Sequence, residues 1–363
     1  AGMSIFAVRA PLAWLGPGKL VEDALVVMER GRVVFAGSSK HLAVRFAGEG
    51  GSETLSGESA PPEPDEELHV DGFLMPGVVD RHVHIGLSDP GAVLAGGVTG
   101  VRDLAWPAET IFSLAEASES PSFNGPLIRC AGPMITCTGG YPTRSSWAPK
   151  GTGVEVRGSA DAAEAARNLL AGGAAVLKVA LNADAGPTLS DEELLAVCEV
   201  GHGADVPVTA HCQGRGQVQR AVGAGVDELA HAPWSERLSD DLVQAMAKRM
   251  RIVSTLDIHS FGKDTPEVRM ALDNLRRFIA EGGAVAYGTD LGNGPIPPGI
   301  HVGEVWHLYR AGLSAERLLQ AVTYRPLAAG EPADLVGLGR NPLENLGALG
   351  EVRLVIRAGR RVR

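Results

Sequence analysis

Length, composition and charge exclude several classes of protein. Of the 363 residues, 45% are hydrophobic and 21% are charged, as in ordinary globular proteins rather than disordered or fibrous ones. The formal net charge of −10 argues against nucleic acid as a partner, because binding a phosphate backbone requires a basic surface. No apolar run reaches the roughly 20 residues of a membrane span, so we expect no membrane partner. Four cysteines without a C-x-x-C motif favour a cytoplasmic location.

The chain begins with β-rich sequence. From Ser4 to about Phe46, short β-rich runs such as residues 24–28 and 32–36 alternate with glycine-containing turns. Residues 48–67 then hold seven acidic residues, no basic ones, and many Gly, Ser and Pro. This composition cannot bury enough apolar surface to order itself, so it predicts a solvated loop.

After Pro76 the pattern changes to apolar strands alternating with amphipathic helices, which is typical of parallel β/α units. Two helices have recognisable ends: Ser190 with Glu193 predicts a capping box, and Thr265 begins a helix that stops at Gly282. Eight strands predict an α/β fold of the (β/α)8 TIM-barrel type. They are residues 78–84, 99–103, 127–131, 175–180, 206–211, 227–231, 252–256 and 284–289.

Beyond Glu331 the β pattern returns, at residues 333–338 and 352–362. β-rich sequence at both ends indicates a small β-sandwich domain built from both chain termini beside the barrel. We therefore predict that residues 3–75 form the first part of the β-sandwich, residues 76–330 the barrel, and residues 331–363 the second part of the β-sandwich.

Four histidines close predicted strands, and active groups in such a barrel gather where the strands end. His82 and His84 close the first strand, and because side chains two residues apart point to the same side, both can bind one ion. His211 and His231 close the fifth and sixth strands. One such histidine is more often structural, but four on one rim predict a metal site, since imidazole is a ligand that zinc prefers.

Two further residues carry chemistry. Lys178 lies in an apolar run, where an ammonium group is costly unless it is paired, neutralised or modified. A buried amine can react with carbon dioxide to form a carbamate that bridges two metals, whereas an unmodified lysine would pair with a carboxylate such as that of Asp290. The residues alone do not separate these two readings. Asp290 itself can bind metal and accept a proton from bound water, or it can cap a helix.

The sequence around these residues resembles the amidohydrolase superfamily. Residues 72–84, GFLMPGVVDRHVH, are similar to the metal-binding opening of that superfamily, and residues 97–103, GVTGVRD, to its next strand. Residues 333–335 and 341–343, ADL and NPL, resemble its closing β segment. The sequence pattern is most similar to that of the imidazolonepropionase-like branch, which includes prolidase-like binuclear metal hydrolases.

The resemblance implies a metal-dependent amidohydrolase that binds two divalent metal ions, zinc being the expected metal. A hydroxide bridging the metals would cleave an amide or cyclic amide C–N bond of a dipeptide, an N-acyl amino acid or a similar small molecule, with Asp290 as the catalytic proton carrier. Position by position, one ion would be held by His82, His84 and Asp290, the second by His211 and His231, and both would be bridged by a carboxylated Lys178.

Two departures from relatives and two alternative functions qualify this interpretation. His211 is followed by Cys212 and Gln213 rather than by the glutamate that deaminases usually place nearby, so deamination is disfavoured. Tyr141 stands after Gly139-Gly140, where dipeptidase-like relatives often carry a histidine. The alternatives are an ester, lactone or phosphotriester hydrolase on the same site, and a non-catalytic scaffold that kept the barrel.

Substrate contacts are expected from the loops after the strands, because these loops set specificity in barrels. The longest, residues 132–153, carries Tyr141, Arg144 and Trp147. An arginine beside aromatic rings suits a carboxylate-bearing substrate with an apolar body, although Arg144 could also be a solvated loop residue. Trp234 and His259 are further substrate-binding candidates. We therefore expect a small-molecule substrate bearing an acidic group, and the chain is compatible with a homo-oligomer.

Overall fold

Five strands precede the barrel in the computed structural model, which describes residues 4–40 and 61–363. They are β1 (Phe6–Trp14), β2 (Leu20–Glu29), β3 (Arg32–Ser38), β4 (Glu66–His69) and β5 (Phe73–Pro76). β1 pairs antiparallel with β2 and parallel with β4 and β5. Neighbouring residues of β1 belong to two separate clusters of buried side chains. Val8 lies in the cluster that contains Ile356, and Ala7 lies in the cluster that contains Val27. Both faces of β1 are therefore covered, which the period-two pattern of a buried strand requires.

The predicted acidic loop, residues 48–67, ends earlier than we expected, because its last two residues belong to a strand. Residues 48–60 lie outside the described residues, but Glu66 and Glu67 form the start of β4, in parallel register with Phe6 and Ala7. Oε1 of Glu67 accepts a hydrogen bond from Nε of Arg9 at 2.8 Å. An acidic composition gave no sign of this strand, because its pairing with β1 and its ion pair both come from a distant part of the sequence.

Eight parallel strands form the barrel. They are β6 (Val78–Val83), β7 (Val98–Asp103), β8 (Leu127–Cys130), β11 (Leu177–Asn182), β12 (Val208–Gln213), β13 (Glu228–Leu229), β14 (Arg251–Val253) and β15 (Ala284–Ala286), with β9 (Met134–Cys137) and β10 (Gly153–Val156) inserted after β8. The backbone N–H of Ala175 donates to the carbonyl of Cys130 at 2.9 Å, which links β8 to the approach to β11. The N–H of Asp290 donates to the carbonyl of His82 at 2.8 Å and closes the ring. The predicted (β/α)8 barrel is confirmed, although several strands are shorter than predicted.

The segment predicted as a long third-strand loop, residues 132–153, contains β9 and ends at the first residue of β10. β9 pairs in parallel with β10, and Ile135 of β9 also pairs with Val179 of β11. The apolar cluster of Ala105, Met134 and Ala180 packs beneath the rest of the segment. The sequence between β9 and β10 is rich in glycine and proline, so it predicted a loop. Parallel strands are joined by a long connection rather than by a hairpin turn, so no turn motif marked this pair.

Nine α-helices accompany the strands in the described chain. They are α1 (Pro90–Ala95), α2 (Ala108–Ser118), α3 (Gly158–Gly172), α4 (Asp191–Gly203), α5 (Gln217–Ala224), α6 (Asp240–Ala247), α7 (Pro266–Ala280), α8 (Val302–Arg310) and α9 (Ala315–Val322). The predicted capping box at α4 is confirmed, since Oγ of Ser190 accepts from the N–H of Glu193 at 3.1 Å. Thr265 caps α7 as predicted, and this helix ends two residues before Gly282. Over residues 4–40 and 61–363, no helix is long and apolar enough to cross a membrane.

Strands from both ends of the chain share one sheet. The last three strands are β16 (Leu335–Leu338), β17 (Val352–Arg357) and β18 (Arg360–Arg361). The sheet order is β18-β17-β16-β5-β1-β2-β3, with β4 paired to β1. The predicted β unit built from both termini is thus confirmed, while its boundaries at residues 76 and 330 stay predictions. Gly77 joins β5 to β6, and a Cβ there would lie 1.9 Å from Oγ1 of Thr99, so this position requires glycine.

A buried ion-pair network lies where the barrel strands begin. Glu228 on β13 accepts hydrogen bonds from Arg102, from Nε of Arg251 at 2.8 Å, and from Oγ1 of Thr209 at 2.8 Å. Burial acts to raise the pKa of Glu228, but the charges of Arg102 and Arg251 outweigh it and lower the pKa to about 2. The folded barrel therefore holds Glu228 ionised.

We expect Glu228→Gln to destabilise the protein by about 3–5 kcal/mol at neutral pH, because it leaves two guanidinium groups without their carboxylate. The native pKa lies below the usual 4.5, so the stabilisation is complete above about pH 4.5 and is lost as the pH falls toward 2. Urea unfolding of wild type and variant across this pH range measures the difference in their free energies of unfolding. The exposed pair of Glu119 with Arg129 supplies the control, since Glu119→Gln should cost less than about 1 kcal/mol. If the difference in free energy of unfolding between wild type and Glu228→Gln stayed constant with pH, Glu228 would not be ionised in the folded barrel.

Candidate metal centre and active site

Six side chains singled out in the sequence converge where the barrel strands end. Each lies in a barrel strand or shortly after one: two at the end of β6, one in β11, one in β12, one after β13 and one after β15. All six are buried: His82, His84, Lys178, His211, His231 and Asp290. Because these positions lie on neighbouring parallel strands, their side chains meet in one cavity at the carboxyl-terminal end of the barrel.

Three of these residues present ligand atoms to one point. Oδ1 of Asp290 lies 3.3 Å from Nε2 of His82 and 3.2 Å from Nε2 of His84. Nδ1 of His82 lies 2.7 Å from the carbonyl of Ala230, and Nδ1 of His84 lies 3.0 Å from the carbonyl of Ala105. A carbonyl only accepts, so each Nδ1 carries a proton and each Nε2 faces the carboxylate. When Nε2 is deprotonated, the facing nitrogen and oxygen atoms offer three ligands to one divalent cation.

The protonation states in this group fit metal ligation. Burial lowers the pKa of His82 well below its ordinary value, and the charge of Lys178 lowers it further. Burial acts to raise the pKa of Asp290, but its contacts with His82 and His84 outweigh burial and hold the pKa well below the usual range. A neutral imidazole and an ionised carboxylate are the forms in which these residues bind a divalent metal.

The second pair of histidines also shares a point. Nδ1 of His211 lies 3.0 Å from Nε2 of His231, and Nδ1 of His231 lies 2.7 Å from Oγ1 of Thr255. Thr255 adopts a left-handed backbone (φ 38°), which is unusual for a β-branched residue and places its hydroxyl beside the ring. Burial lowers the pKa of His211 to about 3 and that of His231 well below its usual value.

The distances within both groups match those around a metal ion. Two nitrogens bound tetrahedrally at about 2.0 Å from one zinc ion stand about 3.3 Å apart. The pairs described above lie between 3.0 and 3.3 Å. The residues present therefore fit a divalent ion at His82, His84 and Asp290, and His211 and His231 are spaced as two ligands of a second ion would be.

Lys178 lies between these groups without a carboxylate partner. Its Nζ is 3.4 Å from Nε2 of His82. In the described parts of the chain, no carboxylate oxygen lies within 4.0 Å of this amine, so the alternative ion pair with Asp290 does not form. Burial lowers the pKa of Lys178 to about 8, which raises the neutral fraction of the amine.

Asp290 is held in place by its backbone and by one neighbour. Its φ of 60° is in the left-handed region, which aspartate and asparagine tolerate better than most residues. Nδ2 of Asn293 donates to Oδ1 of Asp290 at 2.9 Å. The carboxylate therefore keeps one orientation toward the histidines.

Two buried aspartates that shape this site did not emerge from the sequence. Asp80 accepts from Oγ1 of Thr289 at 2.6 Å and from the N–H of His82 at 3.2 Å, so it ties the first strand to the segment that carries Asp290. Asp103 accepts from the N–H of Ile85 at 2.7 Å. A carboxylate inside each apolar strand was the available signal, since such groups are costly unless they are hydrogen-bonded.

Aromatic rings form the walls of the cavity. The ring of Tyr141 stacks on His211 with centroids 4.8 Å apart, and Trp147 lies 4.6 Å from His84. Nε1 of Trp147 donates to the hydroxyl oxygen of Tyr141 at 3.1 Å. On the other side Trp234 and His259 have centroids 4.5 Å apart. The cavity measures about 100 Å³, and Tyr141, Trp234, His259, Ile258 and Asn293 line it together with the six candidate ligands.

Arg144 lies outside this wall. Its side chain is exposed, its guanidinium lies against Gly139, and it does not line the cavity. Its contact with a substrate carboxylate stays a prediction, and the structure places its side chain outside the lining of this cavity.

We expect Arg144→Met to change kcat/KM by less than about twofold, whereas Trp234→Ala should lower it by about tenfold or more, because an indole buries a large apolar area against a ligand. Steady-state kinetics on a substrate that turns over measure both variants. A large loss confined to carboxylate-bearing substrates in Arg144→Met would instead place its guanidinium at the substrate.

A family model and a curated relative each match most of this chain. The model of the amidohydrolase family matches residues 73–362. An "uncharacterized protein" of Mycobacterium tuberculosis is 25% identical over 337 residues, which cover 80% of this chain and 85% of that protein.

Solved structures show the same fold. Ochratoxinase of A. niger has a TM-score of 0.80 at 19% identity, covering 100% of this chain and 96% of that chain. A Xaa-Pro dipeptidase with bound methionine has a TM-score of 0.78 at 21% identity, covering 99% of each chain. Molinate hydrolase has a TM-score of 0.77 at 16% identity, covering 99% of this chain and 95% of that one. Because the family model spans the barrel and the last four strands of the terminal sheet in chain order, the chain belongs to the amidohydrolase family of metal-dependent hydrolases.

Proposed function

We propose that this hydrolase cleaves an amide or cyclic amide C–N bond of a small molecule at a centre of two divalent metal ions. The observation that carries the proposal is the pair of facing ligand groups, His82 and His84 with Asp290, and His211 with His231. Imidazole and carboxylate ligands favour zinc at such a site. Structural neighbours include a Xaa-Pro dipeptidase and phenylurea hydrolase B, whose names describe the cleavage of C–N bonds.

Lys178 completes the centre in this proposal as a carbamate. Its neutral Nζ forms an N–C bond with carbon dioxide and loses one proton to solvent, so that a neutral amine becomes an anionic carbamate with two oxygens. The buried amine 3.4 Å from Nε2 of His82, without a carboxylate partner in the described chain, supports this modification. An unmodified ammonium at the same place would repel the metals.

When bound, the metals would polarise the scissile carbonyl and lower the pKa of a water molecule. Asp290 accepts the proton of the attacking water and passes it to the leaving nitrogen, and Asn293 keeps its carboxylate in position. The hydroxyl oxygen of Tyr141 already accepts from Trp147, which leaves its own proton free to donate to the developing oxyanion. Burial raises the pKa of Tyr141 above its usual value, so this proton is retained.

The cavity walls favour uncharged groups beside the scissile bond. Tyr141, Trp234 and Ile258 are apolar or aromatic, and among the described lining residues no arginine is present. A cavity of about 100 Å³ suits a compact group such as a ring or a branched aliphatic side chain. We therefore propose a substrate whose flat or apolar part lies between Tyr141 and Trp234, in place of the acidic group expected from Arg144.

A matched substrate series tests the function. Purified protein is first analysed for metal and then assayed with an N-acyl amide, a cyclic amide, and the ester and phosphotriester analogues of the same aromatic group. We expect turnover of the amides, its loss after chelation and its recovery with Zn²⁺. Turnover of the ester or phosphotriester alone would assign the alternative hydrolase activity, and protein with no stoichiometric metal after loading would contradict the metal centre.

A further inference from the structure

A second cavity lies at the opposite end of the barrel from the six candidate ligands. It measures about 420 Å³, within the range of small-molecule sites. Its walls include the first residues of two strands, Leu127 of β8 and Arg251 of β14, which places it where the strands begin. Apolar residues form much of the lining: Pro76, Val79, Val101, Leu127 and Pro326.

Five arginines line this cavity, although the whole chain has a net charge of −10. Four of them have carboxylate partners: Arg102 and Arg251 share Glu228, Arg129 pairs with Glu119, and Arg325 pairs with Glu331. In the described ranges no carboxylate oxygen lies within 4.0 Å of the fifth, Arg81. The five arginines and the four carboxylates at this cavity, Glu119, Glu228, Glu331 and Asp334, leave one positive charge in excess, and Arg81 is the arginine without a carboxylate partner in the described chain.

The acidic residue of the lining does not supply the missing partner. Oδ1 of Asp334 accepts from the backbone N–H of Ala358 at 2.7 Å, so this carboxylate is engaged with the turn between β17 and β18. Glu228 is already shared by Arg102 and Arg251. An anion that enters from solvent is thus the available partner for Arg81.

An exposed aromatic ring stands beside this charge. Tyr324 is 66% exposed, which is unusual for a large aromatic residue. Cζ of Arg81 lies 5.4 Å from the centroid of its ring, and Cζ of Arg325 lies 5.5 Å from the same centroid. The ring orients the guanidinium of Arg81 and leaves apolar surface free for a flat ligand.

We propose that this cavity binds a small monocarboxylate with a flat apolar body. The carboxylate accepts two parallel hydrogen bonds from the guanidinium of Arg81, and the body lies against Tyr324, Leu127 and Pro326. A single uncompensated charge matches a monoanion better than a phosphate dianion. This site is separate from the metal centre and does not depend on the reaction proposed there.

Benzoate and its neutral isostere benzamide test the proposal by isothermal titration of the full, metal-loaded chain. We expect benzoate to bind with a Kd of about 1 mM or tighter and benzamide at least about tenfold more weakly. Arg81→Met should bring benzoate to the affinity of benzamide. Arg129→Gln removes an arginine of the same lining that has its own carboxylate, Glu119, and it should change the benzoate Kd by less than about threefold.

Methyl NMR locates the bound benzoate. Methyl signals of Val79 and Leu127 line the proposed site, whereas Ile258 lines the metal cavity. Shifts at Val79 and Leu127 without a shift at Ile258 support the proposal, and the reverse pattern overturns it. Equal affinities for benzoate and benzamide, or unchanged binding in Arg81→Met, also overturn it. If Arg81→Met fails to fold, Tyr324→Ala at the exposed ring decides, since an unchanged benzoate Kd in that variant contradicts the site.

Discussion

Replacing Asp290 with asparagine is expected to lower kcat by about a thousandfold or more while leaving thermal stability almost unchanged. Asparagine cannot accept the proton of the attacking water, and it removes a negative charge from the metal ligands, so the chemical step loses its base. The backbone should tolerate the change, because asparagine adopts the left-handed φ of 60° as readily as aspartate. Steady-state kinetics, metal content and a thermal melt measure the three quantities separately.

Asn293→Ala is the matched control for Asp290→Asn. It removes the 2.9 Å hydrogen bond to Oδ1 of Asp290 but keeps the carboxylate. We expect a loss in kcat of about tenfold, with metal content retained. If Asp290→Asn kept kcat within about tenfold of wild type, Asp290 would not be the proton carrier.

Replacing Lys178 is expected to remove at least one metal ion and to lower activity by about a hundredfold or more. Two variants separate the causes. Lys178→Met fills nearly the same buried volume and lacks the amine, whereas Lys178→Ala leaves a space beside His82. If the wild-type lysine is a carbamate, added acetate should restore part of the metal content and activity of Lys178→Ala, because its carboxylate oxygens occupy that space. Lys178→Met, which fills the space, should not respond.

The same variants also show whether Lys178 is unmodified rather than a carbamate. Full metal content and full activity in Lys178→Met would exclude a bridging role. In wild-type protein exchanged with ¹³C-labelled carbon dioxide, a carbamate carbon resonance should be present and should disappear in both variants. Recovery with acetate in both variants alike would show an effect of salt rather than the replacement of a ligand.

The placement of the six candidate ligands was predictable, because it obeys local rules. His82 and His84 share one side of a strand through the period of two, and His211 and His231 close apolar runs whose ends must meet in a parallel barrel. Lys178 stood out as a charge within an apolar strand. Each of these signals lies within a few residues of sequence, where strand geometry decides the direction of the side chain.

The walls and the terminal sheet depend on contacts between distant residues. Arg144 and Trp147 are three positions apart in one segment, yet Trp147 reaches His84 while Arg144 stays in solvent. That difference follows from the packing of the segment on β9 and β10, which pair with each other across a long irregular connection. In the same way, the pairing of Glu66 with Phe6 overrides the loop composition of the acidic segment. Neither contact has a signature in the adjacent sequence.

The shared terminal sheet imposes an order on how the chain can be completed during translation. Met75 of β5 pairs with Val336 of β16, about 260 residues later, so at about 5–20 residues per second the edge of β5 waits at least roughly a quarter of a minute for its neighbour. An unpaired edge that emerges early is a template for association with other chains, so we expect the yield to depend on temperature and on chaperones during expression. A nascent chain that stops before Leu335 already contains all six candidate ligands, but it lacks the strand that secures β5 and, through Gly77, the strand that carries His82.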